Sequence, residues 1–415
     1  MSADQISSCP LPVTMVCGFV GAGKSIVIRE LLAERGTERW ALLVHDRSER
    51  EWEASEETGS AVELFQLGES LAELMRSCVG CSFCQAVKDA ILSIAGMRRF
   101  DRLIVECSGL VEPTMVASIF NDAIADEGPL AGLARLEQLV TVVDAATVWQ
   151  GIRSADALRD RGMSGGADDT RVLSELLVEQ IEHCSLIALT RSAAIDADCR
   201  ERVATLLRYL NPEAEVLVPT DGGERAGRIL TSRGGAEYGI SFQPGWAKLI
   251  DQADMAPARS QDWTTGVFRA SRPFHPGRLW RWIEEDWSGV LRCKGHFWLA
   301  SQPDRCFAWE QTVGSRHFEW VGQWWMATPE SEWPTNEDFL RRLKSQWTIE
   351  FGDRRQELAC IGYGMNQEAL FARLRECLLT TEELLLGEEG WRRFDDPFER
   401  ATQEAGSRED ETESE

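Results

Sequence analysis

Eight residues near the start of the chain constrain its fold most strongly, because Gly18 to Ser25 read G-F-V-G-A-G-K-S. They follow an apolar run, Val13 to Cys17, that predicts a β-strand, and they precede helix-forming sequence from Ile26 to Arg35. A glycine-rich loop in this position points backbone N–H groups at an anion, and the helix dipole favours negative charge there. The order strand, loop, helix therefore predicts a loop that binds nucleotide phosphates.

The residues of this loop have separate expected roles. Lys24 reaches the β- and γ-phosphates and is the first candidate for a catalytic residue, and Ser25 places its hydroxyl on Mg²⁺. The expected nucleotide contacts in the loop are Gly18, Gly21, Ala22, Gly23, Lys24, Ser25 and Ile26. Such a loop binds the phosphates of a nucleotide whichever base the nucleotide carries.

Length and charge narrow the class of protein. A chain of 415 residues is long enough for two domains, and no apolar run approaches the roughly 18 residues of a membrane span. The N-terminus lacks the basic and long apolar regions of a signal peptide, so a cytoplasmic location is expected, and the twelve cysteines are read as free thiols or metal ligands. The net charge of -24 argues against binding to nucleic acid.

The composition changes near residue 240. Before it, aliphatic runs alternate with amphipathic stretches, which is typical of a parallel sheet with helices on both faces. Beyond residue 257 come twelve of the sixteen tryptophans. We predict an α/β fold: a P-loop NTPase domain with a mostly parallel sheet (1–225), a linker (226–262), a smaller α+β C-terminal domain (263–398) and a disordered acidic tail (399–415). The predicted strands are Val13–Cys17, Ala41–Val44, Leu103–Val105, Leu139–Val143, Leu186–Leu189, Gly266–Ala270, Leu291–Ala300 and Leu358–Gly362, and the second domain has predicted helices at Arg278–Trp287 and Gln367–Leu378.

Acidic residues follow two of the predicted strands. Glu106 ends the run that begins at Leu103 and is followed by Gly109, so we expect the carboxylate near Mg²⁺ and the glycine N–H near the γ-phosphate. Glu49 and Glu53 lie in a loop after His45-Asp46, and this loop is either a switch that faces the phosphates or a solvated surface. Glu106 and Gly109 join Lys24 as catalytic candidates.

Three cysteines at intervals of three, Cys78, Cys81 and Cys84, lie between these acidic segments. This spacing brings three sulfurs around one soft metal ion in a turn, or stacks them along one helical face. The alternative is that they are small buried hydrophobic residues. We read the scattered thiols as core or near-core positions, namely Cys17, Cys107, Cys184, Cys360 and Cys377.

Taken together, these residues resemble the CobW-like family of P-loop GTPases, which are metal chaperones, metal insertases and maturation factors. The second half looks like the C-terminal domain of the family's zinc-responsive and nitrile hydratase activator branches. Besides the phosphate loop, the resemblance rests on Glu106–Pro113, Val142–Ala145, Leu177–Glu182, Arg272–Pro276, Leu291–Ala300, Gly352–Leu358 and Asp396–Phe398. It implies a nucleotide-gated metal carrier, with metal held by the cysteine motif and by carboxylates of the switch loop.

The chain departs from the family pattern at the metal motif. The family usually has C-x-C-C after Asn-Gly, but here the middle cysteine is Phe83. Cys78 restores a third thiolate, so the predicted metal ligands are Cys78, Cys81 and Cys84 with Glu49 or Glu53, and Ser25 for Mg²⁺. His45 stands where the family has Asn, and it is either a ligand or a solvent-facing residue.

The second departure concerns the base. Where the family presents Asn-Lys-x-Asp, this chain reads Thr190-Arg191-Ser192-Ala193, so Thr190 and Arg191 are expected at the nucleotide but no carboxylate remains for guanine. Asp196 would substitute only after a rearrangement of the loop. GTP is the nucleotide that the resemblance implies, and ATP stays open.

The function we predict is that of a slow nucleotide hydrolase that delivers a transition metal to a client metalloprotein through its C-terminal domain. The metal is zinc, with cobalt or iron as alternatives, and the client is a zinc-dependent protein or a nitrile hydratase. A non-hydrolysing scaffold for a metalloenzyme subunit and a small-molecule phosphotransferase are the competing hypotheses. We expect no nucleic acid or membrane partner, and a homo-oligomer stays open.

Overall fold

The computed structural model describes residues 9–44, 61–67, 81–120, 128, 130–163, 169–219, 224–231, 244–251, 262–285 and 287–400. The chain divides into two compact units, residues 1–245 and 246–415. No helix among these described residues is long and apolar enough to cross a membrane.

Parallel strands form the sheet of the first unit. Its seven described strands lie in the order β3-β2-β4-β1-β5-β6-β7, and each neighbouring pair is parallel. Parallel neighbours require crossover connections, which the helices supply. In chain order the elements are β1 (Leu11–Cys17), α1 (Lys24–Ala33), β2 (Trp40–Val44), β3 (Val62–Gln66), α2 (Cys81–Gly96), β4 (Arg102–Glu106), α3 (Pro113–Ala117), β5 (Ala134–Asp144), α4 (Val148–Ile152), α5 (Leu173–Glu182), β6 (Leu186–Thr190), α6 (Ala197–Leu210), β7 (Glu215–Leu217) and α7 (Glu224–Thr231).

The central strands read as continuous apolar runs because helices cover both faces of the sheet. Six of the seven residues of β1 are buried, and all five residues of β2 and β6 are buried. Helix α1 buries Val27, Ile28, Leu31 and Leu32, which lie on one face at helical spacing. Each such aliphatic side chain contributes about 1.5–3 kcal/mol on burial. This packing fixes α1, and therefore the loop before it, against β1.

The five strands predicted for this unit each fall within an observed strand, and the predicted parallel sheet is confirmed. Strands β3 and β7 were not predicted. β7 has three residues, and β3 is at the edge of the sheet with no fully buried residue. Short or half-exposed strands lack the apolar run that reveals a central strand.

The second unit is built on an antiparallel sheet, so the predicted α+β class is confirmed. Its described strands lie in the order β11-β10-β9-β12-β8. Helix α8 (Gly245–Ile250) spans the boundary between the units and lies inside the predicted linker. The further elements are β8 (Trp263–Ala270), α9 (Pro276–Ile283), β9 (Val290–Phe297), β10 (Arg305–Thr312), β11 (Ser315–Gln323), α10 (Glu337–Ser345), β12 (Gln356–Tyr363), α11 (Gln367–Cys377), α12 (Thr381–Leu384) and α13 (Gly387–Trp391).

Two predicted elements of this unit were too long. The strand predicted to reach Ala300 ends at Phe297, because the N–H of Trp298 donates to the side chain of Gln356 (3.0 Å) instead of continuing the ladder. The helix predicted to reach Trp287 ends at Ile283, and the ring of Trp287 packs on that of Trp282 with centroids 4.2 Å apart. Both elements therefore end where a side chain makes a contact that the apolar pattern of the sequence does not reveal.

Most of the second unit's tryptophans are buried in its core. The buried ones are Trp263, Trp282, Trp287, Trp298, Trp309, Trp324 and Trp391. Trp320 is different, because it is 51% exposed on β11, which forms an edge of the sheet.

Two of the strings that support the family resemblance have structural roles in this unit. Asp353 accepts hydrogen bonds from the backbone N–H groups of Trp325 and Met326, at 3.0 and 2.9 Å. Asp396 accepts from Ser301 and Gln302, at 2.5 and 2.8 Å, and thereby fixes the last described segment to the sheet. These carboxylates hold the fold of the unit.

Candidate nucleotide and metal site

The phosphate-binding loop lies between β1 and α1, as predicted. A Cβ on Gly18 would overlap the carbonyl oxygen of Val142 in β5, so only glycine fits at the start of the loop. Gly23 has a φ of 97° and is the N-cap of α1, which begins at Lys24. Glycine adopts this left-handed conformation without the penalty that other residues pay. The loop is therefore packed tightly against the sheet and opens onto the N-terminus of α1.

Lys24 folds back over the loop. Its Nζ donates to the carbonyl oxygens of Gly18 (2.9 Å) and Phe19 (3.4 Å). These contacts hold the ammonium group at the loop, where a phosphate chain would be bound. Ser25 lies in the first turn of α1 and is half-buried, whereas Ile26 is 55% exposed.

Thr190 and Arg191, predicted at the nucleotide base, contact the backbone of the phosphate-binding loop. The Thr190 hydroxyl donates to the carbonyl oxygen of Ala22 (2.6 Å), and Arg191 donates to that of Gly21 (2.7 Å). Arg191 has a φ of 53° and also pairs with Asp144 at 2.9 Å. The end of β6 thus braces the loop through the carbonyl groups of Gly21 and Ala22, whereas Lys24 contacts those of Gly18 and Phe19.

Asp196, considered as a substitute for the missing guanine contact, is engaged elsewhere. It is the N-cap of α6, and its carboxylate accepts from the N–H of Cys199 at 2.7 Å. An N-cap hydrogen bond contributes about 1 kcal/mol to helix stability. A rearrangement that brought Asp196 to the base would lose this cap, so the structure disfavours the substitution.

Glu106 ends β4, and Gly109, three residues later, lies against the phosphate-binding loop. Their expected positions at Mg²⁺ and the γ-phosphate stay predictions. Glu106 is 5% exposed and pairs in register with Val16 of β1. A Cβ on Gly109 would lie 2.6 Å from the backbone nitrogen of Val20, so this glycine packs directly against the loop. Carboxylate and hydroxyl oxygens are ligands that Mg²⁺ prefers, and Glu106 with Ser25 fits that donor set.

The cysteine motif is described in part. Cys78, His45, Glu49 and Glu53 lie outside the described residues, and Cys81 is the first residue of α2. The thiol of Cys84, one turn further, donates to the carbonyl oxygen of Met115 in α3 at 3.2 Å. Since α3 begins four residues after Gly109, the cysteine helix contacts the segment that follows this glycine.

The scattered cysteines are buried as predicted: Cys17, Cys107, Cys184, Cys360 and Cys377. A hydrogen bond with Cys107, together with burial, raises the pKa of the Cys17 thiol well above its ordinary value. Burial raises the pKa of Cys184 to about 12. The thiols of Cys17 and Cys184 therefore stay protonated at neutral pH, and metal ligation requires the thiolate.

A group of three potential metal ligands on α5 was missed in the sequence. Ligand atoms of Glu179, Glu182 and His183 all lie within 4.8 Å of one another, and His183 pairs with Glu179 at 3.3 Å. Glu182 is fully buried, and the other two are half-buried. The signal in the sequence was the spacing of Glu182 and His183 three and four residues after Glu179, which on a helix places side chains on one face.

The sheet order, the glycine-lined loop before α1 and the lysine folded over it define a P-loop nucleotide-binding protein. Residues 12–218 match the CobW/HypB/UreG nucleotide-binding domain, and residues 263–378 match the cobalamin synthesis protein cobW C-terminal domain. The chain therefore belongs to the CobW family.

Named relatives extend over most of the chain. It is 30% identical over 406 residues to zinc-regulated GTPase metalloprotein activator 1 of Dictyostelium discoideum, covering 94% of this chain and 84% of the relative. It is 23% identical over 311 residues to the zinc chaperone YjiA of Escherichia coli, covering 71% and 84%. The crystal structure of Zn(II)-bound YjiA GTPase aligns with 89% of this chain and 99% of its own, at 18% identity and a TM-score of 0.35, which is too low to add to the assignment.

Proposed function

We propose that this protein is a GTP-dependent metallochaperone that binds zinc at its cysteine motif and passes it to a client metalloprotein. Membership of the CobW family supports the nucleotide half of the proposal. The names of its relatives, a zinc-regulated GTPase metalloprotein activator and a zinc chaperone, support the metal half.

The observation that carries the proposal is the contact between Cys84 and Met115. It joins the helix that bears the cysteine motif to α3, which begins four residues after Gly109. A shift of this segment on loss of the γ-phosphate would therefore displace a residue next to a metal ligand. Switch segments of P-loop proteins reorganise in this way on hydrolysis.

In the proposed nucleotide site, Lys24 neutralises the β- and γ-phosphates and the N–H of Gly109 contacts the γ-phosphate. Ser25 and Glu106 hold Mg²⁺, directly or through water, and the ion neutralises charge on the phosphates. Arg191 forms an ion pair with Asp144 and a hydrogen bond to the Gly21 carbonyl, so it is not available to act as an arginine finger. Turnover is accordingly slow without a cation supplied by a partner.

The proposed zinc ligands are Cys78, Cys81 and Cys84, with Glu49 or Glu53 from the switch loop. Thiolates suit zinc, and they also suit cobalt and iron, which keeps a nitrile hydratase among the proposed clients beside zinc-dependent proteins. The client docks on the C-terminal unit, where β11 offers an edge strand with the exposed ring of Trp320. Edge strands present unpaired backbone groups to a partner.

The preference for GTP over ATP is tested by the substitution Ala193→Asp, which restores the carboxylate that the family presents to guanine. A hydrogen bond to a charged group contributes about 1.5–3 kcal/mol, which corresponds to roughly 10- to 150-fold in affinity. The unmodified protein is expected to prefer GTP over ATP by less than about tenfold, and Ala193→Asp to raise this preference at least about tenfold. Competition of GTP and ATP against a fluorescent GTP analogue measures both values.

Ala194→Asp is the matched control, because Ala194 ends the same 3₁₀ helix (Ser192–Ala194) and corresponds to no base-reading position. It should leave the preference unchanged. If the unmodified protein prefers GTP by more than about 100-fold, other residues read the base and this part of the proposal is wrong.

A further inference from the structure

Side chains from α5 and the residues before it hold three consecutive carbonyl groups of the segment that contains Gly109. The Nε2 of Gln180 donates to the carbonyl oxygens of Gly109 (3.1 Å) and Val111 (3.2 Å). The Nη1 of Arg171 donates to that of Leu110 between them, at 3.0 Å. Backbone carbonyls in a loop are usually satisfied by water or by neighbouring backbone, so three side-chain contacts in a row fix this segment unusually firmly.

The orientation of the Gln180 amide follows from its partners. Both groups that it meets on this side are carbonyl oxygens, so the NH₂ end must face them and Oε1 must point away. Gln180 is 1% exposed, and its Oε1 has no hydrogen-bond partner among the residues that the structure describes. It lines a cavity of about 170 Å³ that is also bordered by Phe19 to Ala22 of the phosphate-binding loop. The side chain therefore contacts the Gly109 segment directly and borders the same cavity as the phosphate-binding loop.

Gly109 packs closely against the loop, since a Cβ there would lie 2.6 Å from the Val20 nitrogen. Its backbone is therefore in contact with the phosphate-binding loop, and its carbonyl oxygen is held by Gln180. A backbone group that is held in place before the ligand arrives binds it without a cost of reorganisation.

We propose that Gln180 is a positioning residue that holds Gly109 in the orientation needed to contact the γ-phosphate. This inference rests on the proposed function, in which a nucleoside triphosphate is bound by the loop and recognised through the N–H of Gly109. It goes beyond that function by assigning discrimination between triphosphate and diphosphate to a residue outside the nucleotide site. Gln180 acts through Gly109 and has no contact with nucleotide in this arrangement.

The test is Gln180→Met, which keeps a long side chain beside the cavity and removes both donors. Since two hydrogen bonds are lost, affinity for a non-hydrolysable GTP analogue is expected to fall about tenfold, and GTP turnover to fall by a similar factor. Affinity for GDP should change by less than about twofold, because the diphosphate makes no contact with Gly109. Fluorescence titrations with the two nucleotides give the ratio of affinities.

Asn211→Leu is the matched control for the loss of a buried amide near the same helix. The side chain of Asn211 donates to the carbonyl oxygens of Ile181 (2.8 Å), Glu182 (3.2 Å) and Cys184 (3.0 Å), but not to the Gly109 segment. This variant is expected to lower the melting temperature while it leaves the ratio of triphosphate to diphosphate affinity unchanged.

The outcomes distinguish a failure of the role proposed for Gln180 from a failure of the proposed function. If the unmodified protein binds both nucleotides and Gln180→Met keeps the same ratio of affinities, Gln180 has no positioning role. If the unmodified protein binds neither nucleotide, the proposed function fails and this inference fails with it. Should Gln180→Met be too unstable to purify, Gln180→Leu takes its place, because it is also apolar and removes both donors; the same change in the ratio is expected.

Discussion

Replacing Lys24 by alanine is expected to reduce affinity for GTP and its hydrolysis by at least about 100-fold. The ammonium group is held at the phosphate-binding loop by the carbonyl oxygens of Gly18 and Phe19, so it is placed to meet the β- and γ-phosphates. Loss of one positioned donor at a developing charge typically costs that much. Titration with a fluorescent GTP analogue and a phosphate-release assay measure the two effects.

Lys344→Ala is the matched control, because Lys344 is an exposed lysine on α10 of the other unit. It removes the same charge and should change neither quantity. Nucleotide binding that survives in Lys24→Ala at the unmodified level would contradict the assignment of the loop. An unmodified protein that binds GTP but hydrolyses neither GTP nor ATP would instead support the non-hydrolysing scaffold that the sequence left open.

The double substitution Cys81→Ser with Cys84→Ser is expected to lower zinc affinity by more than about 100-fold. Loss of an outer partner of a metal ligand alone costs about 10- to 100-fold, and this variant removes two proposed direct ligands. A serine hydroxyl stays protonated at neutral pH and does not replace a thiolate. Competition against a chromophoric zinc chelator measures the affinity.

Cys199→Ser controls for the loss of a thiol elsewhere, because Cys199 is a half-buried free cysteine on α6. It should leave zinc affinity unchanged. If the double variant also binds zinc as the unmodified protein does, the cysteine motif is not the site. The group of Glu179, Glu182 and His183 would then be the next to test, by His183→Ala.

The sequence predicted the elements whose signal is local. The phosphate-binding loop was recognisable because its chemistry demands glycines, a lysine and a serine at fixed spacing between a strand and a helix. The central strands were recognisable because burial on both faces demands continuous apolar runs. For the same reason the edge strand β3, which is half-exposed, and the three-residue β7 were missed.

Contacts between distant segments could not be read from the sequence. Thr190 lies 168 residues from Ala22, and Gln180 lies 71 residues from Gly109, so no periodicity links them. Thr190 and Arg191 were predicted at the nucleotide from their place in a motif, and the structure shows them bracing the loop's backbone. The role of Gln180 depends on which groups its amide meets, and only the folded chain supplies that information.

In the proposed mechanism nucleotide state controls metal affinity, so zinc affinity is to be measured with a non-hydrolysable GTP analogue bound and again with GDP bound. We expect zinc to bind at least about tenfold more tightly in the triphosphate state, since coupling between sites typically spans about 5- to 150-fold. By reciprocity, zinc should raise affinity for the analogue, relative to GDP, by the same factor. Equal zinc affinity in the two states would contradict the account.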